Sequence, residues 1–155
     1  MIIILFCLSV FLAYFISTAI VFGIQQSMSA TYYCFKENRQ FIFSAFCLLS
    51  SVPLLKVTDS YLLDGAIMCM AMVGVAAAYK GDAVMNAVHM TFAYSSVLLG
   101  QLSIYFDVHL IWLNIVSVYF SIVLILLRSK LKGAILFVEV LNYISIIYTL
   151  ILLQK

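Results

Sequence analysis

Read at three- and four-residue steps, residues 82–107 (DAVMNAVHMTFAYSSVLLGQLSIYFD) place Asp82, Asn86, His89, Ala93, Ser96, Gly100, Ser103 and Asp107 along one side of a helix. Met, Phe, Val and Leu fill the other sides. The stretch is long enough to cross a bilayer. Glu139, Asn142, Ser145 and Thr149 form a matching polar stripe along residues 133–153. An unpaired polar group in hydrocarbon costs roughly several kcal/mol, so each stripe must look at protein or water. The remaining apolar runs are therefore expected to pack against these two faces.

Those runs cover residues 2–24, 40–55, 61–79 and 108–127. The first has no basic leader and no small-residue cleavage site, and is read as a retained span. The second is short and ends near the only proline, Pro53. The third is rich in small residues, among them Gly65, Ala66, Ala71 and Gly74, which allow close helix approach where hydrophobicity cannot drive association. Trp112 opens the next run as an interface anchor. The longest polar connection, residues 25–39, carries hydroxyls suited to local capping and the aromatics Tyr32, Tyr33 and Phe35. The pattern predicts a single all-α domain over residues 1–155: a polytopic integral membrane helix bundle of about six transmembrane helices.

Composition points the same way. Of 155 residues, 66% are hydrophobic and 9% charged, and mean hydropathy is +1.21. An average soluble domain is about 45–50% apolar and about 25% charged. Lys36, Arg39, Lys80, Arg128, Lys130 and Lys132 would lie on one side of the bilayer, with only Lys56 and Lys155 on the other. This bias predicts both termini on the non-cytoplasmic side. The net charge of +2 and the lack of a basic, aromatic-rich patch argue against a nucleic-acid partner.

Within this topology, His89 and Glu139 each lie about two turns in from the cytoplasmic side. Asn86 is one turn shallower and Asn142 one turn deeper, so these four residues are expected to form an inner polar layer. An ionisable group inside a span is a functional candidate, because a mid-helix charge costs at least about 2.5–3.5 kcal/mol to insert. In one reading His89 and Glu139 are a titratable pair lining a path for an ion or polar substrate, together with Asn86, Ser96, Gln101 and Asn142. In the other they are helix–helix contacts, with Glu139 neutral or bonded to His89 or an Asn. Asp64, Gln101 and Asn114 would form an outer layer. No His or Cys spacing suits a metal, no disulfide is implied, and no cofactor motif or catalytic set is present.

The run from Phe22 to Tyr33, FGIQQSMSATYY, together with the later Val88-His89 pair, resembles uncharacterised small multi-span membrane proteins of Bacteroidetes-type bacteria and their phages. The likeness covers roughly residues 20–107. It implies a bacterial inner-membrane location and no particular activity. It draws attention to Ser27, Ser29, Tyr32 and Tyr33, whose loop would reach the inner polar layer if it folded back. A serine after the first span with a later Asp and His is also similar to the layout of alkaline-ceramidase-type membrane hydrolases. Those hold zinc with several histidines, whereas only His89 lies on that side here.

Three function classes remain. The first is an oligomeric channel or small transporter whose path is lined by the fourth and sixth helices, with pH-dependent flux. The second is a structural or assembly subunit of a larger membrane complex. The third is a membrane-embedded lipid-modifying enzyme. Expected partners are the lipid bilayer and either copies of the chain or a larger membrane complex.

Overall fold

The computed structural model describes residues 1–78, 82–109, 111–131 and 133–154. The turn expected at Lys80 and Gly81, and the charges of Lys80, Lys132 and Lys155, lie outside them. The described residues form an all-α protein without strands. Its helices are α1 (Ile2–Phe22), α2 (Phe41–Ser51), α3 (Tyr61–Val75), α4 (Ala83–Phe106), α5 (Ile111–Leu126) and α6 (Ala134–Leu153). Short 3-10 turns at Ser29–Cys34, Glu37–Arg39 and Val52–Lys56 complete the described helical elements.

Helix ends follow local chemistry. Pro53 has no N–H to give the carbonyl four residues back, so α2 stops at Ser51 and continues as a 3-10 turn, short of the 40–55 span expected. Ser60 caps α3, its hydroxyl accepting from the Leu63 N–H at 3.2 Å and donating to the Asp107 carboxylate. Ser103 donates to the same carboxylate oxygen, which ties the α2–α3 corner to the end of α4. Asp82 caps α4 by accepting from the N–H groups of Val84 and Met85 at 2.8 and 3.0 Å. Helix α3 ends at Val75 and not at residue 79 as the apolar run suggested; just beyond it, side chains from α4 and the first loop bond the Ala76 and Ala77 carbonyls.

The core joins α1, α2, α3 and α6. Phe11 of α1 stacks on Tyr143 of α6 with ring centroids 3.9 Å apart, and Tyr14 stacks on Phe46 of α2 at 4.0 Å. Helices α2 and α3 approach closely at Gly74, whose carbonyl accepts from the Ser44 hydroxyl at 2.8 Å. Both chain ends meet, the Met1 amino group donating to Gln154 Oε1 at 3.2 Å.

The outer surface is apolar. Ile2, Leu5, Ile16, Ile20 and Val21 of α1 are exposed, as are Trp112, Ile115, Tyr119, Phe120, Ile122 and Leu126 of α5. The one buried residue of α5 is a serine, Ser117. Among the described residues, α1 and α6 are long and apolar enough to cross a membrane, while α3 and α5 are apolar but shorter. Helix α4 has 24 residues, and its polar stripe makes it less apolar than either.

Candidate functional site

The loop after α1 builds one wall of the site. Gly23, with φ 71° and ψ −180°, ends α1 in a backbone conformation open almost only to glycine. The chain then crosses the start of α6. There the Gln26 carbonyl accepts from the Leu136 N–H at 3.1 Å, serving a helix-end donor that has no partner in its own helix. Next the Met28 N–H donates to Glu139 Oε2. The Ala30 N–H donates to the Ser27 hydroxyl at 3.1 Å, and the Ser27 and Ser29 hydroxyls are 3.1 Å apart. Thr31 is buried against Tyr14. Tyr33 donates to the Ala77 carbonyl at 3.3 Å, and Tyr32 meets Phe43 edge-on. The loop therefore folds back onto the bundle.

Behind it lies a cavity of about 90 Å³. One water needs about 10–15 Å³ on this measure, so there is room for several waters or a solute of a few heavy atoms. Ser29 and Met28 of the loop, Cys47 and Ser50 of α2, Ser96 of α4 and Glu139, Asn142 and Tyr143 of α6 line it, with Phe11, Phe43 and Phe46 as apolar walls. Glu139 and Asn142 share a face one turn apart. The Asn142 side-chain oxygen is buried without a hydrogen-bond partner. It sits against Gly100, where a Cβ would come within 3.2 Å of it. Ser96 donates to the Ala66 carbonyl at 3.0 Å, fixing its oxygen at the cavity edge.

The four-residue inner layer does not assemble as expected. His89 is 2% exposed, and its Nδ1 lies 3.0 Å from the Ala76 carbonyl, an arrangement that makes Nδ1 the protonated donor. The Val73 carbonyl is a second backbone partner. His89 thus closes the end of α3, whereas Glu139 is held by the Met28 N–H. Asn86 is exposed, because α3 stops at Val75 and leaves the first turns of α4 uncovered. Gln101 is also outside the cavity. It donates to Ser117 at 2.9 Å and accepts from Asn114 at 3.2 Å, joining α4 to α5. Asp64, expected beside Gln101 and Asn114, appears in neither contact.

Sequence reasoning passed over Cys47 and Ser50, which sit in an apolar run with no distinguishing spacing, and the Met28 N–H, which no side-chain pattern reports. Among the described residues no group of three or more His, Cys, Asp and Glu could hold a metal. No protein-family model, curated protein or solved structure matches the chain.

Placing His89 at a helix end carries a stability prediction. His89→Ala leaves the Ala76 carbonyl without its side-chain donor, and is expected to destabilise the fold by about 1–3 kcal/mol, measured by thermal unfolding in detergent.

Proposed function

We propose that this chain is an integral membrane protein that carries a small polar solute across the bilayer through the cavity between α4, α6 and the folded-back loop. The observation that carries the reading is the cavity itself. It gathers Glu139, Asn142, Ser96 and Ser29 inside a bundle whose exterior is hydrophobic. Soluble monomers rarely expose contiguous apolar patches of more than a few hundred Å². Helix α5 is the clearest case, with aromatic and aliphatic side chains outside and Ser117 inside. Lipid as solvent accounts for that inverted pattern, and α1 and α6 supply two spans on length and composition alone.

The full bundle would use α2 with its 3-10 extension, α3, α4 and α5 as the other crossings, making about six. Lys36, Arg39, Arg128 and Lys130 lie at the end of the bundle that carries the loop, which orients that end to the cytoplasm and the chain termini away from it. The stacked Phe11 and Tyr143 rings wall the cavity on one side, and its small volume favours a carrier over a wide channel. A lipid-modifying enzyme is not favoured: the cavity is far smaller than an acyl chain needs, and His89 is occupied at a helix end. The apolar face of α5 favours packing against copies of the chain or another membrane subunit as an added role.

The test is uptake by liposomes containing the purified protein, probed with urea, glycine, sodium, protons and methylammonium. At least one probe should enter faster than into protein-free vesicles. Glu139→Gln should lower that rate by about tenfold or more, since a neutral amide replaces the carboxylate of the path. His89→Ala should leave the rate per folded molecule unchanged. Equal rates in wild type and Glu139→Gln would contradict the reading.

A further inference from the structure

We propose that the solute is a small organic ammonium ion, held with its charged head on Glu139 and Ser96 and its alkyl end against the aromatic side chains. The inference rests on the transport reading and names its substrate class. Several polar groups of the cavity offer only acceptors. Ser96 gives its hydroxyl proton to the Ala66 carbonyl, Ser50 to the Cys47 carbonyl at 3.4 Å, and Tyr143 to the Ser50 carbonyl at 2.9 Å. Each hydroxyl oxygen retains lone pairs and has no proton left to offer. The Asn142 oxygen, which has no hydrogen-bond partner, is buried against Gly100 and takes no part in this surface. The Glu139 carboxylate receives the Met28 N–H and has further acceptor capacity.

The carboxylate and these lone pairs suit a donor-rich cation. A bare metal ion fits poorly, because hard cations take oxygen ligands on all sides. Here Phe43, Phe46, Met70 and Val73 make up much of the lining. An ammonium head has three N–H donors for the acceptor side, and aromatic rings attract a cation's charge as well as its carbon. At about 90 Å³ the cavity takes a body of only a few heavy atoms.

The test is calorimetric titration of the full chain in lipid nanodiscs with ethylammonium, sodium, acetate and ethanol. Saturable binding of ethylammonium is expected, with sodium failing to compete. Glu139→Gln, which can still accept the Met28 N–H, should weaken binding by about thirtyfold or more. Ala93→Leu, which fills the cavity from α4 and leaves every polar group in place, should abolish it. Unaltered thermal unfolding of Ala93→Leu keeps the test decisive even if Glu139→Gln folds poorly. Tighter binding of sodium, acetate or ethanol, or ethylammonium binding unchanged in either folded variant, would overturn the proposal. Ethylammonium that binds but never enters vesicles would remove transport and leave the site. Uptake of another probe without ethylammonium binding would remove the site and leave transport.

Discussion

Tyr143→Ala is expected to destabilise the protein by about 3 kcal/mol, at the low end of the range for aromatic-to-alanine changes in a packed core. The ring is 2% exposed, lies parallel to Phe11 at 3.9 Å, and donates its hydroxyl to the Ser50 carbonyl at 2.9 Å. Truncation opens a void between α1 and α6 and strips that carbonyl of a donor. In a bilayer the water-to-hydrocarbon part of the usual cost falls away, because lipid is as apolar as the core. The lost packing remains. Tyr143→Phe separates the two contributions: it retains the stack and should cost only about 1 kcal/mol. Reversible unfolding in detergent, monitored by helical circular dichroism, measures both. Equal losses for the two variants would show that the ring stack contributes little.

Gly74→Ala is expected to cost about 1–3 kcal/mol through overpacking. A methyl at this position would sit 2.4 Å from Cys47 Cβ and 3.3 Å from the Ser44 carbonyl oxygen. Neither neighbour is the flexible tip of a side chain, so α2 and α3 must separate by roughly 1 Å to reach ordinary contact near 3.5 Å. That movement strains the Ser44 hydroxyl bond to the Gly74 carbonyl and shifts Cys47 in the cavity wall. Adding Cys47→Gly to Gly74→Ala moves the methyl across the same interface and should recover part of the loss, a coupling expected only between residues in contact. Independent, additive losses would contradict the close approach.

Periodicity carried the helices, because side chains repeat along a helix whatever it packs against. The 82–107 stripe became α4 within a residue at each end, and the small residues of the third run mark the α2–α3 contact at Gly74 and the Ser96 bond to Ala66. Helix ends were less legible. Nothing in the run of alanines after Val75 says that His89 and Tyr33 will take the Ala76 and Ala77 carbonyls. The same gap explains the candidate site. Depth along a helix put Glu139 near Asn142, and both line the cavity. But the α4 stripe faces α3, so His89, about two turns before Ser96, meets the C-terminal end of α3. Gln101, rotated off the stripe, turns toward α5. The Met28 N–H was invisible because a backbone donor has no residue type.

The most direct test of the account is water access along α4 in the bilayer. In a cysteine-free background, Ala93→Cys places a thiol in the cavity wall, and Leu98→Cys places one on the exposed apolar face. A small charged thiol reagent added to intact proteoliposomes should modify the first and spare the second, because thiolate chemistry needs water and hydrocarbon excludes the reagent. Equal modification of both positions would mean that α4 is bathed in water on both faces, and would contradict a membrane-embedded carrier.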